Sequence, residues 1–429
     1  MSIKFIKSNK YFLESKRIIP AQTQTFSKGW TQYPLGKTPL YLSKAKNGHV
    51  WDVDDNKYVD WPMGIGPIIL GHNFNEMNKY IYKNIKNGIA FSLPHKKEVD
   101  FSKQILKIFN FADMIRFGKN GSDVTTGAIR LARAYTKKDI ILCSGYHGWH
   151  DWYIGTTTRS KGIPDSVKKL TKKFDFNNID QFDKLIKKFK SNIAAVIIEP
   201  PVTNFNSEYS KLEYIKKITK KNGIILIFDE IWTGFRVSKT GTIGLHNISP
   251  DLACYGKAIG NGYPISILAG RRNIMSKLDE VFFSFTFGGD IIGLTAAEFV
   301  TQYIGTRPVL NKILKLGNEI TKNSKNLIKK YELENYIKIG GYPQRSFFGF
   351  YYNGIESLLI KSIFQQECIS QGILTSGWHA PCYTHTSTDV KKTIKVYNNV
   401  FKKIKSAINN KQLSEILKGR IVQNVFRPN

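Results

Sequence analysis

Apolar residues recur along this chain with two spacings that take turns. The segment DVTTGAIRLARAYTK, residues 123–137, places its apolar positions at helical intervals and is followed by the short apolar run of KDIILCSG, residues 138–145. The same pair returns as NIDQFDKLIKKFKS before IAAVIIEPP, and again as LEYIKKITKKNG before IILIFDEIW. Short runs that are apolar at every position suit strands buried on both faces. Alternated with helices, they predict an α/β fold with a mostly parallel sheet covered on both sides. HVWDVDDNKYVDW, residues 49–61, reads instead as two strands around a tight turn at Asp54, Asp55 and Asn56, a hairpin. From about residue 311, LNKILKLGNEITKNSKNLIKKYELENY predicts a long helix entering a second, mixed lobe. No internal repeat or low-complexity linker interrupts the pattern. With 429 residues, 41% of them hydrophobic and 13% aromatic, the chain can bury a large core and exceeds one ordinary domain, so two interleaved lobes are expected.

The formal charge of +31 changes the picture less than its size suggests. Its lysines lie in short clusters such as KKLTKKF, KLIKKFK and KKTIKVYNNVFKKIK, spread over the whole chain and spaced like the solvated faces of amphipathic helices. Compositional drift toward lysine, asparagine and isoleucine accounts for that, with an anionic substrate as the alternative. No nucleic-acid motif accompanies the charge, so a basic nucleic-acid-binding protein without catalysis is the remote third reading. The N-terminus has no apolar stretch ending in a small-residue cleavage site, and no run of 18 apolar residues occurs, so no membrane partner is expected. Cys143, Cys254, Cys368 and Cys382 are scattered without metal-ligand spacing, which predicts reduced thiols, no metal and a cytoplasmic setting.

In such a sheet, ligands bind beyond the C-terminal ends of the strands, and four places there carry polar residues that packing does not need. Gly121 and Ser122 precede a helix in FGKNGSDVTTGAIRLAR, where free N–H groups and a hydroxyl suit a phosphate; the alternative is that Ser122 or Asp123 only caps the helix. GYHGWHDWY puts Tyr146 and His147 on a strand-end loop, where an aromatic can stack on a flat ring or simply pack. Asp229 ends the apolar run IILIF, and an unpaired carboxylate there is costly, so it needs a partner: a protonated pyridine nitrogen or Arg236. Lys257, in CYGKAIGNGYPISILAGRR, sits among small and apolar residues before a further strand. Burial there favours a neutral, nucleophilic amine, against the commoner case of a lysine that snorkels to the surface. Phosphate cradle, aromatic shelf, buried aspartate and lysine together describe one ligand, pyridoxal 5′-phosphate.

These residues sit within GHVWDVDDNKYVDW, GPIILGH, GSDVTTGAIRLARAYT, GYHGWHDW, IIEPPVTN, LIFDEIWTGFR, YGKAIGNGYP and FTFGGDIIGLTAAE. In this order the series resembles the class III aminotransferases of pyridoxal-phosphate fold type I, and within them the glutamate-1-semialdehyde 2,1-aminomutases, from about residue 12 to about 310 and more loosely beyond. The resemblance implies a mostly parallel seven-stranded sheet flanked by helices, with a smaller mixed α+β lobe built from the two chain ends. Residues 1–60 would form an N-terminal arm and part of the small lobe, 61–310 the large cofactor-binding domain, and 311–429 the rest of the small lobe. It implies that Lys257 holds pyridoxal 5′-phosphate as a Schiff base, alternating with pyridoxamine 5′-phosphate during turnover. Asp229 would face the ring nitrogen, Tyr146 the ring, and Gly121 and Ser122 the phosphate, with Asn204 and Glu199 near the ring hydroxyl and the substrate side. Thr286 would reach the phosphate of a neighbouring subunit, which makes the expected partner a second copy of the chain in a homodimer.

At the substrate end the resemblance weakens. Lys28, in AQTQTFSKGW with Trp30, stands where the family carries a carboxylate-binding arginine, and a lysine lacks the bidentate fork. Ile65 replaces a tryptophan ahead of the GPIILGH segment, Ser122 and Asp123 replace threonine and glutamate, and SGWHAPCYTHT replaces an acidic stretch. On that wall His379 and Tyr383 are expected, with His147 and Glu199 as further substrate candidates. The resulting expectation is an aminotransferase that moves an amino group from an amino acid such as glutamate to an aldehyde or ketone. A sugar-derived or phosphorylated compound of surface-polysaccharide synthesis is a candidate acceptor. The alternative is a true aminomutase of tetrapyrrole synthesis, an isomerase that needs no external donor.

Overall fold

The computed structural model describes residues 4–200 and 205–426. It divides into two units, one made of residues 1–74 with 311–429 and the other of 75–310.

Early in the first unit, β1 (Leu42–Lys46), β2 (His49–Asp52) and β3 (Lys57–Asp60) form an antiparallel meander, so the expected hairpin gains a strand on its outer edge. The buried carboxylate of Asp52 organises the turn. It accepts the N–H groups of Asp54 and Asn56 at 3.0 and 2.9 Å and the hydroxyl of Tyr58 at 2.8 Å. Such local capture of N–H groups is why Asp and Asn dominate turns.

The second unit carries β4 (Met114–Gly118), β5 (Ile140–Ser144), β6 (Thr171–Lys173), β7 (Ile193–Ile198), β8 (Ile225–Asp229), β9 (Leu252–Tyr255) and β10 (Ser266–Gly270). They make one seven-stranded sheet in the order β4-β10-β9-β8-β7-β5-β6, and β10 alone runs against its neighbours. Every residue of β5, β7 and β8 is buried, the physical counterpart of their unbroken apolar sequence. The helix Gly121–Thr136 lays Val124, Ala128, Leu131 and Ala132 on this sheet, against Ile141, Ile197, Ile227 and Leu268. Removing Leu131 from such a site costs about 2–5 kcal/mol. Because the other six strands run together, their C-terminal ends and the start of β10 share one edge.

The chain returns to the first unit through the helix Val309–Lys330, then β11 (Ile337–Tyr342), β12 (Arg345–Tyr352), β13 (Ile355–Glu356), β14 (Ile373–Leu374) and β15 (Trp378–His379). Strands β11, β12, β13 and β15 form an antiparallel sheet, and β14 pairs in parallel with β3, tying the two chain ends into one body. Helices Leu358–Ile369 and Ser387–Asn409 cover a core that includes Trp61, Phe348, Phe364, Tyr397 and Phe401. Among the described residues no helix is long and apolar enough to cross a membrane. The four cysteines are buried, free thiols.

Candidate active site

The strand edge of the second unit gathers the residues singled out in the loops that follow β4, β5, β7, β8 and β9. After β4, the helix that starts at Gly121 is capped by Asp123, whose carboxylate accepts the N–H groups of Lys119 and Asn120 at 2.9 and 2.7 Å. Ser122 is therefore not the cap. Its buried hydroxyl accepts the N–H of Trp149 at 3.2 Å, joining this loop to the one after β5. That approach requires Gly148, at φ 103°, because a Cβ there would collide with the Ser122 hydroxyl. The N–H groups of Gly121 and Ser122 make no hydrogen bond among the described residues, so the positive end of the helix dipole stays open to an anion.

After β5, Gly145 at φ 110° brings the loop against Glu199, which follows β7, and the Glu199 carboxylate accepts the Tyr146 N–H at 3.1 Å. The Tyr146 ring is 49% exposed and stands edge-on to Tyr153, an open aromatic face on an otherwise packed edge. Burial of its hydroxyl, with the negative charges of Asp229 and Glu199, raises the phenol above its ordinary pKa.

Asp229, at the end of β8, has protein partners that the sequence reading did not name. His147 Nδ1 lies 2.8 Å from its Oδ2, and Oδ1 accepts the Ile231 N–H at 3.2 Å. His147 is itself buried, with Nε2 3.1 Å from the Ser144 carbonyl and its ring stacked on Trp152. Both ring nitrogens are occupied inside the protein, which corrects the expectation that His147 touches substrate: it orients Asp229. Arg236 is buried too, with its guanidinium 6.0 Å from the Trp232 ring.

Lys257 opens the short turn Lys257–Gly260 after β9, at φ 45°. A long side chain rarely adopts that backbone region, and such strain clusters at functional sites. Its half-buried amine lies 4.6 Å from the centre of the Trp232 ring, so it is neither sealed in the core nor extended into solvent. Trp232 was not singled out in the sequence, nor was Glu230, which follows Asp229. Glu230 is fully buried and receives the hydroxyls of Thr233 and Thr242 and the N–H groups of Thr242 and Ile243. Burial nonetheless pushes its carboxyl up to about 7. The signal was present in the pair of acidic residues directly after a fully apolar strand. Thr286 is exposed in the segment between residues 280 and 291, and Asn204 lies outside the described residues.

The other unit holds the remaining candidates. Lys28, Trp30 and Ile65 line one cavity of about 480 Å³, together with Ser376 and Trp378 from the SGWHAPCYTHT segment. His379 does not belong with them, which corrects its placement on a substrate wall. Strand geometry sends alternate side chains to opposite faces, so Trp378 enters the cavity while His379 enters the core. There its Nδ1 lies 3.0 Å from the Ser346 hydroxyl and its Nε2 2.7 Å from that of Tyr397, and burial lowers its pKa to about 3. Tyr383 packs near Lys312, whose amine is 4.8 Å from the ring centre.

Residues 32–342 match the model of the family described as aminotransferase class-III. The chain belongs to the class III aminotransferases. Over 94% of its length this aminotransferase is 32% identical to the glutamate-1-semialdehyde 2,1-aminomutase of Methanocaldococcus jannaschii, covering 99% of that protein. It is 29% identical to the 3-aminobutyryl-CoA aminotransferase of Cloacimonas acidaminovorans, over 95% of this chain and 99% of the relative. Among solved structures, the PLP internal aldimine form of FumI from Sphingopyxis superposes with a TM-score of 0.88 at 24% identity, covering 96% of this chain and all of that one. A glutamate-1-semialdehyde aminomutase from Pseudomonas aeruginosa in complex with PMP gives 0.80 at 18% identity, covering 93% and 95%. These likenesses make the fold pyridoxal-phosphate fold type I.

Proposed function

We propose that this aminotransferase uses pyridoxal 5′-phosphate to move an amino group from an amino-acid donor to an aldehyde or ketone, as a homodimer. The observation that carries the reading is the convergence on one sheet edge of an open helix N-terminus, a histidine-held aspartate and a half-buried lysine. The residues present fit the cofactor. The N–H groups of Gly121 and Ser122 suit its phosphate, in a cradle that a side chain at position 148 would fill. The Tyr146 face suits its ring, and the held carboxylate of Asp229 suits a protonated ring nitrogen. When bound, the cofactor supplies a carbonyl that takes up amino groups and a ring that draws electrons from the adjoining carbon.

The chain's own residues then have distinct tasks. Lys257 Nζ takes up a proton and returns it at a neighbouring carbon, working as a general base and acid from a turn whose strain fixes its direction. Asp229 keeps positive charge at the ring nitrogen, and His147 prevents that carboxylate from rotating away. A second copy is supported by the apolar side chains exposed in this unit. Leu93, Phe282 and Phe287 are 79%, 78% and 61% exposed, and the two phenylalanines flank Thr286, the residue that would reach across.

For a sugar-derived or phosphorylated acceptor His379 offers no contact, because both its ring nitrogens are engaged in the core. The mutase reading stays open on the strength of the relatives that carry that name, against the replacement of arginine by Lys28. One experiment separates the two. The full chain is supplied with cofactor, ¹⁵N-labelled amino acids and a panel of carbonyl compounds, and transfer of label is followed. Label reaching an acceptor supports the aminotransferase; conversion of glutamate-1-semialdehyde with no added donor supports the mutase. A chain that binds no cofactor would sink both.

A further inference from the structure

Nζ of Lys257 lies 4.6 Å from the centre of the Trp232 ring, and the contact is fixed from both sides. Trp232 is buried in a loop after β8 that its own hydrogen bonds fold back. The Gly234 N–H donates to the Glu230 carbonyl at 2.7 Å, and the Arg236 and Val237 N–H groups donate to the Thr233 carbonyl at 3.1 and 3.0 Å. Its neighbour Ile231 packs against Gly121, where the helix starts, and against Gly256, the residue before the lysine. On the other side the lysine is held by its φ of 45° and by the bond from the Ile259 N–H to the Gly256 carbonyl at 3.3 Å. A half-buried ammonium gives up part of its hydration, and the negative face of an indole offsets some of that cost. A carboxylate in the same place would do so more strongly, but it would also take up the N–H groups and keep them. The indole holds the amine in place and leaves it free to react. The guanidinium of buried Arg236 lies farther off, 6.0 Å from the same ring, at the limit of such attraction.

We infer that Trp232 is the positioning residue of Lys257: its indole face holds the ammonium on the strand edge whenever the amine is not covalently engaged, and lets it go once the proton has left. Lys257 as the reactive amine is taken from the transaminase reading, on which this assignment rests. Because the ring favours the charged form, its removal frees the neutral amine at lower pH. The amine should then react faster under mildly acidic conditions, whereas losing a residue that only packs would slow the reaction.

The full chain, freed of cofactor, is mixed with pyridoxal 5′-phosphate over a range of pH. Amine and aldehyde condense with loss of water, hydride from borohydride fixes the product, and peptide mass spectrometry reads the gain at Lys257. Trp232→Leu should lower the pH of half-maximal capture by about 0.4 to 1.5 units and speed capture below that pH by about twofold to thirtyfold. Trp232→Phe keeps a ring with a weaker negative face, so its shift should have the same sign and be smaller. The other titratable groups of this edge stay in every variant, so a shift reports the indole. They are Asp229 and Glu230 at the end of β8, Arg236 in the Trp232 loop, Glu199 after β7, Tyr146 after β5, and Asp123 with the Lys119–Asp290 ion pair after β4. In urea unfolding without cofactor, the separate losses from Trp232→Leu and Lys257→Met should add to more than the loss in the double variant. A midpoint that stays or rises in a Trp232→Leu chain of unchanged circular dichroism overturns the inference and leaves the transaminase reading standing. If that variant does not fold, an unchanged midpoint in Trp232→Phe overturns it in the same way. Additive unfolding losses overturn it too. An unaltered chain that captures nothing at Lys257 sinks the transaminase reading and the inference together.

Discussion

Two histidines, His147 in the unit of residues 75–310 and His379 in the other, are each almost fully buried with both ring nitrogens engaged, yet their surroundings differ. His147 faces a carboxylate and a carbonyl at the edge of the large sheet, where five strand ends deliver polar residues. His379 faces two hydroxyls amid Trp61, Phe348 and Tyr397. The first pair supports a charge that chemistry can use; the second satisfies a polar ring inside an aromatic core. Burial and a full set of hydrogen bonds therefore do not mark function by themselves. What marks it is a charged partner at a site where open N–H groups and a strained lysine also point.

The comparison is tested most severely at Lys257. Replacement by alanine should lower kcat for amino transfer by more than about 10³-fold while leaving the far-ultraviolet circular dichroism unchanged. A variant that kept full turnover would separate the sheet edge from the chemistry.

His147→Leu should come next. It leaves the Asp229 charge buried beside an apolar side chain, a loss of about 3–5 kcal/mol in urea unfolding. Cofactor affinity should fall with it, and His147→Gln, which can still donate to the carboxylate, should recover part of both. Equal behaviour of the two variants would reduce His147 to packing.

Glu230 supplies a pH test on the same edge. Its folded pKa of about 7 lies above the 4.5 of a free side chain, so the folded chain keeps a proton that the unfolded chain releases. That contribution to stability is full below about 4.5 and is lost as pH rises through about 7, amounting to roughly 3 kcal/mol. Melting measured across this window should show the decline. Glu230→Gln should flatten it, although the amide cannot accept all four donors and lowers stability overall.

The smallest effect is expected at His379→Leu. The hydroxyls of Ser346 and Tyr397 lose their partner, which should cost about 1–3 kcal/mol of stability. Rate constants measured below the melting transition should not change. A selective change in kcat/KM would return His379 to the substrate wall.

Much of the large sheet could be read in advance, because β5, β7 and β8 are buried on both faces and tolerate only apolar residues. The need of Asp229 for a partner followed from the same burial, as did the oddity of a lysine after β9. The identity of that partner did not follow. His147 and Asp229 lie 82 positions apart, and only the parallel pairing of β5 with β7 and β7 with β8 brings their loops together. The same limit applies to His379: the resemblance put SGWHAPCYTHT on a substrate wall, while a two-residue strand sends Trp378 one way and His379 the other.

By itself the sequence determined what local sterics and burial control: alternating helices and strands, the turn around Asp54, a helix close behind Gly121 and Ser122, though the helix itself begins at Gly121, and the strand-end positions of Asp229 and Lys257. Each depends on neighbours within a few residues. Tertiary structure decided which carboxylate meets which imidazole, that Trp232 lies against the Lys257 amine, and that Lys28, Ile65 and Trp378 share one chamber. Those pairings join residues far apart in the chain, and their energies exist only once the intervening loops have closed.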